Sequence, residues 1–272
     1  MVLLDDIDEE TTAALGNVPL NSLQNKSVLI TGGSGAVGRA CVNIFLQRGA
    51  RIFLTDRVAP DPQLLLHKNV TFSAADTTDA GAVAATFRMA LEQFGRIDAA
   101  VLAAGVEGVV ASVEEISEVD IDAILAINVK GCLFWMQQCL RGMKDQGAGS
   151  IVALSSISGI VGSALLASYV ISKHAVVGLV KTAALEAGPH GVRVNAVCPG
   201  PIDSEMMRRL DKALRERDPQ RFVGQSDAVK SIPTQRYVRA SEVASLVAFL
   251  CGDEAASCNG GTFMVDGGFT AK

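Results

Sequence analysis

The sequence predicts an α/β fold: a doubly wound, seven-stranded parallel sheet with helices on both faces. Three observations lead there. Short apolar runs alternate with longer helical ones along nearly the whole chain, the order of successive β-α-β units. The short runs are near-continuous in apolar residues instead of alternating, as in strands buried on both faces. Aromatic residues make up only 5% of the chain while glycine and alanine are plentiful, so the core is aliphatic and backbones approach closely.

Each element follows in order. SVLIT (27–31) is a buried strand, and TGGSGAVG (31–38) a glycine loop that opens a helix over 36–49, closed by Gly49. ARIFLTD (50–56) and VTFSAAD (70–76) are strands. DAGAVAATFRMALEQFG (79–95) is a helix ending at glycine, and DAAVLAAG (98–105) a strand. A long helix spans roughly 117–144, then a strand at 149–156, a helix at 167–188 and a strand at 192–200. A helix at 241–251 and a short strand at 262–268 close the alternation. Two segments fall outside it: an acidic leader, 1–25, expected to be loosely held, and 201–239, too long and too charged for a plain connection. The second lies after a strand's carboxyl end, where a substrate lid belongs. Residues 26–272 are expected to form one domain.

The net charge of −5 argues against a nucleic-acid surface. Cys41, Cys132, Cys139, Cys198, Cys251 and Cys258 form no C-x-x-C pair and read as small buried residues of a reducing compartment, not as disulfides or metal ligands. The N-terminus lacks the basic and apolar parts of a signal peptide, and the uncharged stretch 147–172 is too broken by Gly and Ser to span a membrane. A cytoplasmic protein, without a membrane partner or a metal, is expected.

The glycine loop fits three registers: Gly33-x-Gly35-x-x-Gly38; Thr31-Gly32-x-x-Gly35-x-x-Gly38; and Thr31-Gly32, three residues, Ala36-x-Gly38. Following a strand and opening a helix, its N–H groups and the helix dipole suit a pyrophosphate. Asp56 ends the next strand, where a carboxylate accepts from both adenosine ribose hydroxyls and repels a 2′-phosphate, selecting NAD over NADP. Arg39 and Arg57 point the other way, since arginine pairs with phosphate.

YVISK (169–173) sets Tyr169 and Lys173 four apart, on one helix face. A cation beside a phenol favours the phenolate and makes tyrosine a usable acid/base for a substrate hydroxyl. Ser156 closes the strand before that helix, at the sheet edge where open α/β folds place ligands.

With these motifs in order the chain resembles the short-chain dehydrogenase/reductase family, of the classical type, over roughly 25–268. The likeness also rests on Asp76 in ADTTD, AAG (103–105), NVKG (128–131), VNAVCPGPI (194–202) and the closing VDGG. It implies a Rossmann-type fold and a catalytic tetrad of Asn128, Ser156, Tyr169 and Lys173, with Asn128 holding a water beside Lys173. It implies a cofactor site of Gly32, Ser34, Gly35, Ala36, Val37, Gly38, Asp56, Arg57, Asp76, Thr77, Ala104 and Gly105, with Tyr169 and Lys173 at the nicotinamide ribose. Pro199, Gly200, Ile202 and Ser204 would flank the nicotinamide, and Asp76 would contact adenine. The second loop register resembles extended family members, which need a larger C-terminal domain, so the loop reads in the third.

Two departures follow. Ala36 stands where the family has glycine, with Gly35 expected to supply the lost backbone freedom. Leu102-Ala103 replace two asparagines, which is expected to alter cofactor affinity.

Ile157, Ser158, Val161, Gly162 and Met206 are expected at the substrate. Glu107 fits a contact to a polar substrate group or, as the favoured reading, a solvated loop residue; Arg208, Arg209, Arg215 and Arg217 fit an attractor of an anionic substrate or, as the favoured reading, a solvated face. Met206, Met207, Leu210 and Leu214 recur at helical spacing and fit either an apolar roof over substrate or ordinary packing. His67, His174 and His190 have no motif company.

The resemblance implies an NAD-dependent enzyme interconverting a secondary alcohol and a ketone, and a homotetramer built on the helices of 117–144 and 167–188. YVISKHAVVGLVKTAALE is similar to members acting on cyclic or aryl alcohols, dihydrodiols or hydroxysteroids. A 3-oxoacyl-carrier-protein reductase is the nearest alternative; Asp56 and the acidic balance weigh against it. A non-catalytic NAD-binding sensor or scaffold has no use for a tyrosine–lysine pair.

Overall fold

The computed structural model describes residues 23–220, 222 and 229–271. Nearly all of the leader 1–25, and part of the lid segment, therefore lie outside the described residues. The strands are β1 (Ser27–Thr31), β2 (Arg51–Asp56), β3 (Val70–Ala74), β4 (Ala99–Leu102), β5 (Gly149–Leu154), β6 (Val192–Pro199) and β7 (Thr262–Val265). They form one seven-stranded sheet in the order β3-β2-β1-β4-β5-β6-β7, parallel throughout.

Register explains why the strands are apolar on both sides. Phe53, Leu29, Ala100, Ile151 and Val194 lie side by side across five strands. They pack under α3 (Ala80–Phe94), α5 (Cys132–Gln146) and α6 (Ala167–Ala187), around the fully buried Trp135. One residue along, Leu54, Ile30, Val101 and Val152 make the opposite row. That row is covered by α1 (Ala36–Gln47) and α8 (Ala240–Cys251), through Val42, Phe45, Val243 and Val247. With both rows covered, the strands of these rows have no wet face to alternate toward, whereas the edge strands β3 and β7 are only partly buried.

Two elements differ from expectation, and the helical spacing read in the lid segment is borne out by a third. Asp61 caps a short helix, α2 (Pro62–Leu65), by accepting from the Gln63 N–H, with proline at its first position. The helix expected over 117–144 is α4 (Glu118–Leu125), a π turn (Ala126–Gly131) and α5, because the wider turn is what presents Asn128 to the neighbouring loop. Within the lid segment stands a full helix, α7 (Glu205–Arg217), started by Ser204, whose hydroxyl accepts from the Met207 N–H, and ended by Arg215 and Arg217.

All six cysteines are free thiols, five of them buried; burial raises the thiol of Cys132 to about 11. Among the described residues, no helix is long and apolar enough to cross a membrane.

Candidate active site

Strand order reverses between β1 and β4, and the loops leaving their carboxyl ends diverge there. The cleft they open has a volume of about 860 Å³. Every site residue nominated from the sequence lines it except Asn128 and Val161. Val161 is instead drawn into the turn after β5, its N–H donating to the Ile157 carbonyl.

Two glycines shape the loop. Gly32 has φ +69°, and a Cβ there would lie 2.6 Å from the Ala104 nitrogen; one on Gly38 would lie 2.2 Å from the Gly32 oxygen. Both demands fall on the frame that starts Thr31-Gly32 and ends at Gly38. A Cβ on Gly33 would meet only the Leu54 side chain, so the first register is not the one the backbone requires. Gly35 caps α1 with φ −73°, open to any residue; the loop accommodates Ala36 without special freedom at Gly35, contrary to expectation. Beside the loop, the Thr31 hydroxyl accepts from the N–H groups of Ala103 (3.1 Å) and Ala104 (3.3 Å). Thr31 thus anchors the strand end with its side chain, while Leu102 is buried in the core.

At the other end, Asp56 accepts from the N–H groups of Ser34 (2.9 Å) and Arg57 (2.7 Å). The Arg57 guanidinium lies 4.0 Å from Asp76, and both are exposed. Asp76 accepts from the N–H (2.8 Å) and hydroxyl (2.7 Å) of Thr78, bonds that hold its carboxyl below the usual range, with Arg57 adding to the effect. Thr55 and Thr77 also line the cleft, and their buried hydroxyl oxygens have no hydrogen-bond partner.

Between these ends, Lys173 is buried and its Nζ lies 5.6 Å from the centre of the Tyr169 ring. Nζ donates to the Leu154 carbonyl at 2.9 Å. That partner is neutral, so the ammonium charge remains available to a phenolate. The Ser155 hydroxyl donates to the Lys173 carbonyl at 3.0 Å, tying α6 to the end of β5. Ser156 is extended, and its Oγ accepts from the Ser158 N–H at 3.2 Å, which leaves the hydroxyl hydrogen free to donate into the cleft.

Asn128 stands behind these residues. Its Nδ2 donates to the Val106 carbonyl (2.9 Å) and Ser172 Oγ (3.0 Å), and its Oδ1 accepts from the Val106 N–H (2.9 Å). The Ser172 hydroxyl in turn donates to the Tyr169 carbonyl at 2.8 Å. Both amide N–H groups are used within the protein, so the side chain braces the loop after β4 against α6. Sequence reasoning overlooked Ser172, whose only signal was adjacency to Lys173, and named Thr31 only as part of the loop frame.

The substrate end is lined by Ile157, Ser158, Gly162 and Met206, as expected, and by Met207, Leu210 and Leu214. Of the two readings of that methionine–leucine series, the roof is the one the lining residues match. Glu107 is not a solvated loop residue. Its side chain is only 19% exposed, and it accepts from Arg209 Nε at 3.0 Å. Nor is the arginine run a bare solvated face: Arg208 pairs with Asp203, Arg217 with Glu115, and Arg215 donates to the Asp211 carbonyl.

A family model described as "Enoyl-(Acyl carrier protein) reductase" matches residues 33–270. Levodione reductase of Leifsonia aquatica is 32% identical over 93% of this chain and 97% of its own. Cyclohexanol dehydrogenase of Acinetobacter sp. (strain SE19) is 30% identical over 93% and 98%. The solved structure of levodione reductase superposes with a TM-score of 0.86 at 32% identity, covering 92% of this chain and 99% of that one. An NAD⁺-bound xylitol dehydrogenase gives 0.83 at 30% identity (90% and 99% covered), and ElxO with NADP bound 0.82 at 29% (92% and 100%). The chain belongs to the short-chain dehydrogenase/reductase family and is an oxidoreductase of that family.

Proposed function

We propose that this protein is an NAD-dependent dehydrogenase/reductase that interconverts a secondary alcohol and a ketone on an uncharged, mainly apolar substrate. One observation carries the reading: the Lys173 ammonium beside the Tyr169 ring, with Ser156 in the same cleft as the glycine loop. A dinucleotide fits the residues present. Gly32 and Gly38 line the cleft in a loop packed so closely that a Cβ on either would strike the protein's own backbone, and the unpartnered Thr55 and Thr77 hydroxyls line the same cleft. Ser34, Gly35, Ala36 and Val37 would face its phosphates, Asp76, Thr77, Ala104 and Gly105 its adenosine side, and Pro199, Gly200, Ile202 and Ser204 its nicotinamide. When bound, that group supplies the hydride acceptor or donor. As phenolate, the Tyr169 oxygen removes the proton of the substrate hydroxyl; as phenol, it returns that proton to the carbonyl oxygen. Lys173 stabilises the negative charge on the tyrosine oxygen, and Ser156 donates to the substrate oxygen. Asn128 keeps the loop after β4 and α6 in register.

NAD is favoured over NADP because the Asp56 carboxylate closes the adenosine end while Arg57 leans toward Asp76. An acyl-carrier-protein substrate would want a free basic patch, and the arginines of the lid helix are engaged within the protein. The name of cyclohexanol dehydrogenase supports a cyclic alcohol. Val119 on α4 and Ile171 and Leu185 on α6 stand exposed, which supports a homotetramer packed through those helices.

The test is NADH formation, followed by absorbance, from NAD⁺ and a panel of cyclic, aryl and steroid secondary alcohols, with NADP⁺ and Tyr169→Phe in parallel. Turnover that needs NAD⁺ and Tyr169 is expected. Turnover that survives Tyr169→Phe, or that prefers NADP⁺, overturns the respective half of the reading.

A further inference from the structure

The cleft's apolar substrate end is interrupted by one cluster of charge. Glu107, Glu205 and Asp211 supply three carboxylates and Arg209 and Arg215 two guanidiniums, all lining the cleft. Arg209 is the centre of the cluster. Its Nε donates to Glu107 at 3.0 Å, and one terminal nitrogen donates to Glu205 at 3.2 Å. These bonds hold the guanidinium firmly protonated, hydrogen bonding to Glu107 being the larger cause. Asp211 is engaged by the Tyr237 hydroxyl at 2.8 Å.

Glu107 and Glu205 are not equivalent partners. Glu205 is 81% exposed and one helical turn from Arg209, the geometry of a weak surface pair. Glu107 is 19% exposed and reaches Arg209 from the loop after β4, 102 residues away in the chain. Its position is set by its neighbour, since both backbone groups of Val106 are held by the Asn128 amide. A carboxylate is thus placed at a fixed offset from the Tyr169–Lys173 pair, and the lid helix α7 brings a guanidinium to it.

We propose that Glu107 is a specificity-determining residue: by occupying Arg209 it makes the substrate end of the cleft reject carboxylates and select uncharged alcohols. This rests on the proposed dehydrogenase reading and names the substrate class within it. A substrate carboxylate near Arg209 competes with a built-in carboxylate that is already ordered, and among the described residues of the cluster it meets three carboxylates against two guanidiniums. Removing the charge of Glu107 leaves the Nε edge of Arg209 without a carboxylate, with Glu205 still on one terminal nitrogen, and opens that edge to an anionic substrate.

The experiment measures kcat/KM with NAD⁺ for a hydroxycyclohexane carboxylate and its methyl ester, in wild type, Glu107→Gln and Arg209→Gln. Wild type is expected to prefer the ester. Glu107→Gln is expected to move the ratio toward the carboxylate by about tenfold or more, the scale of one charge-assisted hydrogen bond gained. Arg209→Gln, which leaves Glu107 unpaired, is expected to move the ratio the opposite way. Opposite shifts from two partners of one ion pair are not the signature of loosened packing, which lowers both substrates together. An unchanged ratio in Glu107→Gln, or shifts of the same sign in both variants, overturns the inference while wild-type turnover of the ester leaves the dehydrogenase reading standing. Oxidation of neither substrate by wild type, with the ester's ketone also inert, overturns both.

Discussion

Val106 brackets the side chain of Asn128: its N–H donates to Oδ1 and its carbonyl accepts from Nδ2, each at 2.9 Å. The bracket joins the loop after β4 to the π turn, and through Ser172 to the helix that carries Tyr169 and Lys173. Replacing Asn128 by alanine leaves the two Val106 backbone groups without those partners in a part-buried site. Each such group costs roughly 1–3 kcal/mol. Asn128→Ala is therefore expected to lower the midpoint of urea unfolding and to cut kcat together. A variant that lost rate at full stability would show the bracket to be unimportant for folding.

Tyr169→Phe removes one hydroxyl from a half-buried ring and leaves the packing of α6 intact. Turnover is expected to fall by about 10²–10⁴-fold, the scale of a lost general acid/base. The thermal midpoint and NAD affinity should stay close to wild type, checked by calorimetry and by quenching of the single Trp135. Unchanged turnover would remove Tyr169 from the mechanism.

Asp56→Ser withdraws the carboxylate at the adenosine end while leaving a small polar side chain. The ratio of kcat/KM for NADP⁺ to that for NAD⁺ is expected to rise by roughly tenfold or more, the scale of removing one charge from a hydrogen-bonded site. Since Asp56 also accepts from the Ser34 N–H, the KM for NAD⁺ should rise as well. A ratio that did not move would place cofactor selection elsewhere.

Glu242, in the first turn of α8, accepts from Arg236 at 2.8 and 2.6 Å and from the Arg239 N–H at 2.8 Å. The Arg236 hydrogen bonds, then that of Arg239, hold its carboxyl down to about 2. The folded-state value lies below the unfolded one, so the contribution is present above about pH 4.5 and fades as pH falls toward 2. The thermal-midpoint difference between wild type and Glu242→Gln should be largest near neutrality and shrink across that window. A difference independent of pH would mean that the pair contributes nothing through charge.

How much of this was legible beforehand varied with the range of the interactions. The strands were readable because a sheet covered on both faces must be apolar at every position, as Leu29 and Ile30 show by pointing into opposite cores. The Tyr169–Lys173 pair was readable because four residues make one helical turn. The break in the helix over 117–144 was not: its apolar spacing runs through the π turn, and the extra width is linked to Asn128 reaching Val106, 22 residues away. Glu107 and Arg209 each looked like surface charges because their partner lies 102 residues off. Val161 was nominated by closeness in sequence to Ser156, but the turn after β5 carries it away from the cleft.

The sequence by itself determined the layer order, the family and the loop frame from Gly32 to Gly38, since each rests on local spacing or backbone demand. Tertiary structure alone decided that the Asn128 amide is bonded to Val106 and Ser172, that the arginine run is engaged, and that Glu107 pairs with Arg209. Those outcomes depend on which distant groups the sheet brings within hydrogen-bond reach, and a carboxylate's neighbours in space cannot be read from its neighbours in the chain.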